Sequence, residues 1–470
     1  MRRSYSAFLT ALLLTAALVV PLLFGSVPVR AQSPAAGSDD ILIQGGTVLT
    51  ITNGTRQDTD VLVRDGVIAE IGADLEAPDG VEVYDATGMY VMPGIIDAHS
   101  HIAISNVNEA TNPVTAEVGV GDVLDPFEVE IYRALAGGTT ISHVMHGSAN
   151  PIGGQNETIK HRYGAMSPDA LRMEGAPRTI KFALGENPTR VHGQGNDIQP
   201  ATRMGVEQVI RQALTEAQHY AEANQAYEAG ERDAPPPHSE RLEVLAGILS
   251  GDVLVHCHSY RADEILMLMR VLEDFGVEHI TFQHVNEGFK VAPELAEFGA
   301  GASIFADWWA YKFEVYYSTA YNAAILTKNG VLTSINSDSA ELNRHLYHEA
   351  AKSQKYGDLT DNQALRLITI NPARQLGIAD RVGSIEVGKD ADIAIFNEHP
   401  LSIYAIAERT IVDGVTRFDR EQDPDDMRLR VDPEAAIDLA THADHDDVTH
   451  RCMQGAFLQA SERGLHLLNH

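Results

Sequence analysis

The stretch VMPGIIDAHSH at residues 91–101 places two histidines directly after an apolar run. On a β-strand, residues i and i+2 face the same side, so His99 and His101 are expected to project together from the end of one strand. Two adjacent imidazoles are good ligands for a divalent transition metal. A His-x-His pair also fits a solvent-facing strand, so the rest of the chain has to decide between these interpretations.

Apolar β-like runs alternate with helical segments from residue 93 to residue 376. The strand-like runs are 95–98, 139–144, 179–183, 253–255, 279–282, 302–305 and 331–335. A long polar helix is predicted near 206–229, where Gly230 and three prolines end it. Strands separated by helices pair in parallel through right-handed crossovers. About eight such units form an α/β fold, the (β/α)8 TIM barrel, whose chemistry lies at the carboxyl ends of its strands.

Short β-rich blocks flank this region on both sides. Residues 40–92 and 377–418 alternate apolar strands with turn residues such as Asp65-Gly66, a pattern typical of antiparallel sheets. We therefore expect a small composite β-sandwich domain assembled from both flanks of the barrel.

The two ends of the chain differ from its body in composition. A short basic start precedes an apolar run, and small residues stand at Val29 and Ala31, which is the order of a secretory signal peptide. Residues 1–31 are therefore expected to be removed, and the mature protein is expected to be periplasmic or extracellular. Residues 419–470 form an acidic extension that contains histidines, and its role stays open.

The overall charge limits the classes of partner. The chain carries 35 Lys and Arg against 66 Asp and Glu, a net charge of −31. Nucleic acid and anionic membrane surfaces both need a basic patch, so this balance argues against them. Two cysteines exclude a disulfide scaffold and a thiolate cluster. A small-molecule substrate remains the expected partner, and the sequence leaves open whether the chain forms a homo-oligomer.

Further metal-binding side chains follow other strands, at the end where barrel chemistry is expected. They are Lys181, His256, His284 and Asp338. A lysine at the end of a buried strand must be paired, modified or deprotonated, because an isolated buried ammonium is costly. Reaction with carbon dioxide would turn Lys181 into an anionic oxygen ligand able to bridge two metals. Together with the pair His99 and His101, these residues place metal-binding side chains at five strand ends, a pattern that is hard to ascribe to chance.

Two positions in this set have rivals. His256 and His258 both point inward by strand parity, and His256 is preferred because it ends the apolar run. Glu186 is a rival bridging carboxylate, and Lys181 is preferred because it sits where a strand should end.

These motifs resemble the amidohydrolase superfamily, in particular its imidazolonepropionase-like and prolidase-like members. Besides residues 91–101, the resemblance rests on AGGTT at 136–140, NSD at 336–338, NPAR at 371–374 and GSIEVGKDAD at 383–392. It covers residues 40–418 and implies a (β/α)8 barrel with a composite β-sandwich, one or two divalent metal ions, and hydrolysis of an amide-like C–N bond.

The resemblance also implies a role for each ligand. His99 and His101 match the first-strand metal pair, Lys181 looks like the carboxylated bridging lysine, and His256 and His284 match the ligands after strands five and six. Asp338 matches the strand-eight ligand and proton shuttle. In such a site the metal activates water, and Asp338 would carry a proton to the leaving nitrogen. Zinc is the default metal, while manganese, iron or cobalt could occupy the same ligands.

Substrate contacts are sought in the segments that follow the strands. The glycine-rich segment 147–156 is predicted to be a loop that allows close approach to a ligand, with Gln155 as a contact. The other substrate-binding predictions are Arg190, His192, Tyr260 and Arg261. Either arginine would suit a substrate carboxylate, although a surface salt bridge explains each of them as well. Trp308 and Trp309 would wall an apolar pocket or pack against helices.

These observations predict a hydrolase of a dipeptide, an N-acyl amino acid or a cyclic amide. Deamination by a single-metal member of the same superfamily is the alternative reaction, and the number of metal ions would separate the two. A non-catalytic binding protein on a barrel scaffold is a third hypothesis, and the complete ligand set counts against it.

Overall fold

The computed structural model describes residues 40–309 and 311–422. The predicted signal peptide at 1–31 and nearly all of the acidic extension lie outside these ranges. Within them, no helix is both long and apolar enough to cross a membrane.

The described chain contains strands in three consecutive groups. The first group is β1 (Ile41–Leu49), β2 (Thr55–Arg64), β3 (Val67–Gly72), β4 (Glu82–Asp85) and β5 (Tyr90–Pro93). The second is β6 (Ile95–Ser100), β7 (Thr139–Val144), β8 (Ile152–Lys160), β9 (Arg178–Ala183), β10 (Val253–Ser259), β11 (Ile280–His284), β12 (Gly301–Ile304) and β13 (Leu332–Ile335). The third is β14 (Ile393–Phe396), β15 (Ala407–Val412) and β16 (Val415–Asp419).

In the described chain, helices lie between β6 and β7 and after each barrel strand from β9 onward. They are α1 (Val129–Leu135), α2 (Glu186–Pro188), α3 (Arg203–Glu228), α4 (Glu240–Ser250), α5 (Ala262–Asp274), α6 (Ala292–Phe298), α7 (Asn322–Lys328), α8 (Ala340–Asn343), α9 (Leu346–Gly357), α10 (Asp361–Arg366) and α11 (Ile370–Gln375). The long helix predicted near 206–229 is confirmed as α3, which begins after the N-cap Thr202, whose side chain accepts a hydrogen bond from the Gly205 amide.

The second group of strands forms a nearly closed barrel in the order β6 to β13. All seven predicted barrel strands are present, and the neighbours from β9 to β13 pair in parallel. Between β13 and β6 the chain is joined by single contacts, such as the Asp338 amide donating to the His99 carbonyl at 3.0 Å.

One barrel strand departs from the prediction in both existence and direction. β8 covers much of the glycine-rich segment predicted to be a loop, and it runs antiparallel to β7 and β9. Only residues 145–151 separate β7 from β8, which is too short for the crossover of a dozen or more residues that parallel strands need. The prediction of an all-parallel barrel is therefore wrong at this strand.

The first and third groups form one eight-stranded sheet. Its order is β16-β15-β14-β5-β1-β2-β3, with β4 beside β1. The antiparallel pairing of β14 with β5 joins the two flanks of the chain, as expected. Side chains such as Ile43, Val61 and Ile393 form its buried core. Hydrogen bonding makes this a single composite sheet, and its division into a two-layer sandwich stays a prediction.

Candidate metal centre

Five predicted ligands converge at the mouth of the barrel. The Nε2 atom of His99 lies 3.3 Å from Nε2 of His101 and 3.1 Å from Nζ of Lys181. The Asp338 Oδ1 atom lies 3.2 Å from Nε2 of His101 and 3.6 Å from Nε2 of His99. His284 joins them from β11, with its Nε2 3.9 Å from Asp338 Oδ2. Side chains from four strands thus meet around one carboxylate.

Hydrogen bonds between the Asp97 side chain on β6 and the segment after β13 hold the chain next to Asp338 in place. The buried Asp97 carboxylate accepts hydrogen bonds from the amide and hydroxyl of Ser337 at 3.0 and 2.5 Å, and from the Asn343 amide group at 2.7 Å. Burial raises the pKa of Asp97 to about 6, and these hydrogen bonds oppose the rise. The same strand that carries His99 and His101 therefore positions Asp338.

Two of the converging residues adopt unusual backbone conformations. His284 has φ 71° and Asp338 has φ 43°, both in the left-handed region that non-glycine residues rarely occupy. Such a conformation costs on the order of 1–3 kcal/mol and persists where surrounding contacts impose it, most often at functional sites. The geometry of these two side chains is thus maintained at the expense of local stability.

Two histidines of the cluster, His99 and His284, are held neutral. Burial lowers the pKa of His99 and of His284 well below the usual value, and the neighbouring charge of Lys181 lowers both further. Neutral imidazole is the form that binds metals. The Nδ1 of His101 lies 2.8 Å from the Met145 carbonyl, and donation to that oxygen leaves Nε2 available as a ligand atom.

The two inward-facing histidines of β10 occupy different surroundings. The His256 ring lies 4.4 Å from the ring of His143, and its Nδ1 accepts a hydrogen bond from the Gln283 amide at 3.1 Å. The His258 ring lies 4.6 Å from the ring of His284, and neither of its nitrogens has a hydrogen-bond partner among the described residues. His258 is therefore the β10 histidine that lies beside the cluster.

Glu186 is engaged by cations outside the cluster. Its carboxylate lies 3.0 Å from the Arg190 guanidinium and 3.9 Å from Nζ of Lys312. Lys181, by contrast, reaches His99 directly. Glu186 therefore contacts cations outside the cluster, whereas Lys181 contacts a histidine of the cluster.

The donor set of the cluster fits a divalent metal. Both ring nitrogens of His258 and His284 and both oxygens of Asp338 are buried and make no hydrogen bond within the described ranges. Leaving a buried polar group unpaired costs about 1–3 kcal/mol, and an ion is one of the recognised explanations for such groups. Among the described residues, His99, His101 and Asp338 form the one group with three ligand atoms within 4.8 Å of one another. Imidazole and carboxylate donors in this arrangement suit zinc or a similar ion.

The predicted substrate contacts are scattered around this cluster. Tyr260 stacks on His284 with ring centroids 5.1 Å apart and planes at 13°. The Arg261 guanidinium binds the Asp263 carboxylate at 2.9 Å, and Arg190 binds Glu186, so both cations already have carboxylate partners. His192 is fully buried in the segment after β9.

Gln155 does not lie on a loop. It belongs to β8, where its side chain donates to the Ala116 carbonyl at 3.2 Å and accepts from Arg178 at 2.9 Å. The prediction that the glycine-rich segment is a loop is therefore wrong from residue 152 onward, and Gln155 as a substrate contact stays a prediction.

Sequence reasoning missed Lys312, which lies close behind the site. Its Nζ sits 3.8 Å from the centroid of the Tyr260 ring, whose other face covers His284. It adds to the lowering of the pKa of His284 and of His258. A lysine amid so many aromatic residues after β12 is the signal that could have drawn attention to it.

Comparisons with known proteins agree with this geometry. The chain matches the Amidohydrolase family over residues 90–417. It is 33% identical over 392 residues to "Amidohydrolase tasK" of Hapsidospora irregularis, a match that covers 77% of this chain and 40% of that protein. The chain thus spans well under half the length of this relative.

Two solved structures extend the comparison. The crystal structure of an amidohydrolase from Thermotoga maritima MSB8 has 35% sequence identity and a TM-score of 0.76, covering 81% of this chain and 100% of that one. A prolidase complexed with N-methylphosphonate-L-proline has a TM-score of 0.51 at 18% identity, covering 80% of this chain and 99% of that one. The second likeness concerns the fold alone.

Proposed function

The chain belongs to the amidohydrolase family, and we propose that it is a metal-dependent hydrolase that cleaves an amide-like C–N bond in a small molecule. The convergence of His99, His101 and Asp338 at the carboxyl end of the barrel strands carries this proposal. A dipeptide, an N-acyl amino acid or a cyclic amide is the substrate class that we propose.

The proposed ligands are His99, His101, Lys181, His258, His284 and Asp338. This set replaces the preferred His256 with its rival His258, because His258 lies beside His284 whereas His256 is hydrogen-bonded to Gln283 and packs on His143. Lys181 is retained over Glu186 because its amine reaches His99 and the Glu186 carboxylate faces Arg190. Carboxylation of Lys181 would supply an anion that can bridge two ions.

A bound divalent ion would act as a Lewis acid on the carbonyl group and would lower the pKa of water toward neutrality. Asp338 is the group placed to move the proton. Its oxygens lie 3.2–3.9 Å from the nitrogens of His101, His99 and His284, and it is anchored through Ser337 to Asp97. We propose that Asp338 accepts the proton of the attacking water and delivers it to the leaving nitrogen.

Two of the predicted substrate residues suit this mechanism better than the others. Tyr260 and His192 are buried on the segments that follow β10 and β9, and Tyr260 stacks directly on His284. Arg190 and Arg261 each hold a carboxylate of the chain already, which weakens their proposed role toward a substrate carboxylate.

The function is tested by removing metal with a chelator, reloading zinc, and screening dipeptides, N-acyl amino acids and cyclic amides for amide cleavage. Zinc-dependent cleavage of one class supports the proposal. Zinc-dependent release of ammonia from an aminated ring would indicate deamination instead. A protein that binds no zinc and cleaves none of these compounds would favour the non-catalytic hypothesis.

The place of action is a separate proposal. The order of basic, apolar and small residues in 1–31 supports export to the periplasm or extracellular space. The amino-terminal sequence of the protein recovered from its native source tests this, and a mature start near residue 32 is expected.

A further inference from the structure

A segment rich in aromatic residues follows β12. Seven aromatic residues lie between residues 305 and 318, and they include both tryptophans of the chain. We call residues 305–318, apart from Ala310, the aromatic strap. Its position after a barrel strand places it at the end of the barrel where the metal ligands converge.

Stacked rings connect the strap to the metal site. The Trp308 ring lies 4.5 Å from the Phe305 ring at an angle of 10°, and Phe305 lies 4.6 Å from His284 at 18°. Tyr260 covers the opposite face of His284. A continuous row of nearly parallel rings therefore runs from a proposed metal ligand outward to Trp308, which is half-buried.

The strap is anchored to the strand that carries His284. The Asn286 side-chain amide donates to the Trp308 carbonyl at 3.3 Å and to the Ser318 hydroxyl at 2.6 Å. One buried residue after β11 thus holds the strap at two points, and the strap has a fixed place beside the site.

The middle of the strap is anchored to two further strand ends. The Tyr311 hydroxyl donates to the Tyr260 hydroxyl at 2.9 Å, after β10. The Lys312 amine donates to the side-chain oxygen of Asn187 at 3.2 Å, after β9. The strap therefore lies across the ends of the three neighbouring strands that supply Lys181, His258 and His284.

The charges of the strap are matched within the protein. Lys312 is buried and lies 3.2 Å from the Glu314 carboxylate and 3.9 Å from that of Glu186. What the strap offers to solvent is aromatic: Trp309 is 52% exposed and Phe313 is 80% exposed, and two tyrosines of the strap are also exposed. Exposed clusters of large apolar side chains commonly mark binding surfaces.

We propose that the aromatic strap is a subsite for a large apolar group, so that the preferred substrates carry an aromatic or bulky aliphatic group beside the scissile amide. This inference rests on the proposed hydrolase function and narrows its substrate class. Continuity of the ring stack with His284 places the subsite next to the reacting bond, and the matched charge of Lys312 argues against an anionic group there.

Matched substrate pairs test the inference. The members of each pair differ only by added phenyl groups, two in the dipeptide pair and one in the others: Ala-Ala and Phe-Phe, N-acetyl-L-alanine and N-acetyl-L-phenylalanine, and 5-methylhydantoin and 5-benzylhydantoin. For the pair that the zinc-loaded protein hydrolyses, we expect kcat/KM to be at least about tenfold higher for the phenyl-bearing member. Equal values, or a preference for the smaller member, would overturn the inference.

Variants separate a subsite from a merely structural wall. Trp308→Ala should remove most of the preference through a higher KM for the phenyl-bearing member. Trp308→Phe should restore most of the preference, because a ring still faces Phe305. Tyr404→Ala is the control, since Tyr404 is 75% exposed far along the chain in the segment before β15. A preference that survives Trp308→Ala would contradict the proposal.

A binding measurement keeps the inference testable if hydrolysis fails. Because both tryptophans lie in the strap, intrinsic tryptophan emission reports on the strap alone. We expect N-acetyl-L-phenylalanine to change this emission in the zinc-loaded wild-type protein at a concentration at least about tenfold lower than N-acetyl-L-alanine. Absence of hydrolysis with this difference would reject the proposed function and retain the subsite, whereas equal concentrations would reject the subsite.

Discussion

Two fully buried lysines at the two ends of the barrel have very different surroundings. The Lys160 amine donates to the Asp390 carboxylate at 2.7 Å, lies 3.1 Å from that of Asp392, and also binds Asp413. The Lys181 amine instead lies 3.1 Å from Nε2 of His99, a neutral ring. One buried charge is matched by carboxylates and the other faces imidazoles.

The direction of the strands explains the difference. β9 runs parallel to β10, in the same direction as the other ligand-bearing strands, so Lys181 reaches the mouth with the other proposed ligands. β8 runs antiparallel, so its last residue, Lys160, lies at the opposite end, against the composite sheet. Barrel enzymes carry chemistry at the carboxyl end of the parallel strands and stability at the other end. The carboxylate partners of Lys160 lie at the end that faces the composite sheet, and the proposed metal ligands lie at the mouth, which is the same division.

The largest effect is expected at the mouth. Asp338→Ala should lower kcat by about 10³–10⁴-fold, because it removes both a proposed ligand and the proton carrier. Thermal unfolding should change little, since neither carboxylate oxygen of Asp338 makes a hydrogen bond within the described ranges. Steady-state hydrolysis and calorimetry check this. Turnover within tenfold of wild type would remove Asp338 from the proposed mechanism.

At the end of the barrel that faces the composite sheet, substitution should affect stability rather than turnover. Lys160→Met leaves the buried Asp392 carboxylate without its cation. The other two carboxylates keep an arginine partner each. The free energy of unfolding should fall by about 3–5 kcal/mol. Lys290→Met is the matched control, because Lys290 forms a half-exposed pair with Glu287 worth at most about 1 kcal/mol. Urea titration measures both values. An unchanged free energy of unfolding, or a loss of turnover per folded molecule, would contradict the assignment of stability to this end and catalysis to the mouth.

His161, next to Lys160, predicts a pH dependence of stability. It is buried between the Thr139 carbonyl and the Ser142 hydroxyl, and burial lowers its pKa from 6.5 to about 4. Between pH 6.5 and 4, the unfolded chain therefore binds a proton at His161 that the folded protein does not bind. The contribution of the neutral His161 ring to the free energy of unfolding is complete above pH 6.5 and is lost as the pH falls toward 4. The loss should be about 3 kcal/mol.

The variant His161→Gln isolates this contribution. Urea titrations of wild type and variant between pH 4 and 7 should show a smaller decline in the variant. Equal slopes in the two proteins would show that other groups cause the acid sensitivity.

The smallest predicted effect distinguishes the two histidines of β10. His258→Asn should weaken zinc binding by about 100-fold, whereas His256→Asn, a matched change two residues away on the same strand, should weaken it by less than about tenfold. Competition with a chromophoric chelator measures both affinities. The reverse order would restore His256 as the β10 ligand.

The sequence predicted the barrel strands and most of the cluster because the ligand-bearing strands carry a polar residue at or just after the end of an apolar run. Strand parity predicted which face of β10 points into the barrel. It did not predict which position along the strand lies level with the other ligands, so it could not separate His256 from His258. The three partners of Lys160 follow it by more than 200 residues, and their approach depends on the composite sheet.

The missed strand β8 has a specific cause. Its glycines suggested a loop, yet a Cβ on Gly153 would come 2.6 Å from the His146 ring, and one on Gly154 would come 2.8 Å from Val118. The glycines therefore serve close packing of a strand, a use that composition does not distinguish from flexibility. The β8 sequence IGGQNETIK follows its first isoleucine with two glycines and then polar residues. It therefore shows no apolar–polar alternation from which a strand can be predicted.

The most direct test of the central claim is the number of zinc ions per chain. The apo protein is loaded with zinc in the presence of bicarbonate, passed through a desalting column, and analysed for zinc and protein by mass spectrometry. A two-ion site that includes carboxylated Lys181 predicts two zinc ions per chain, falling to one or none in Lys181→Ala. A wild-type protein that holds one ion or none, with Lys181→Ala unchanged, would contradict the account.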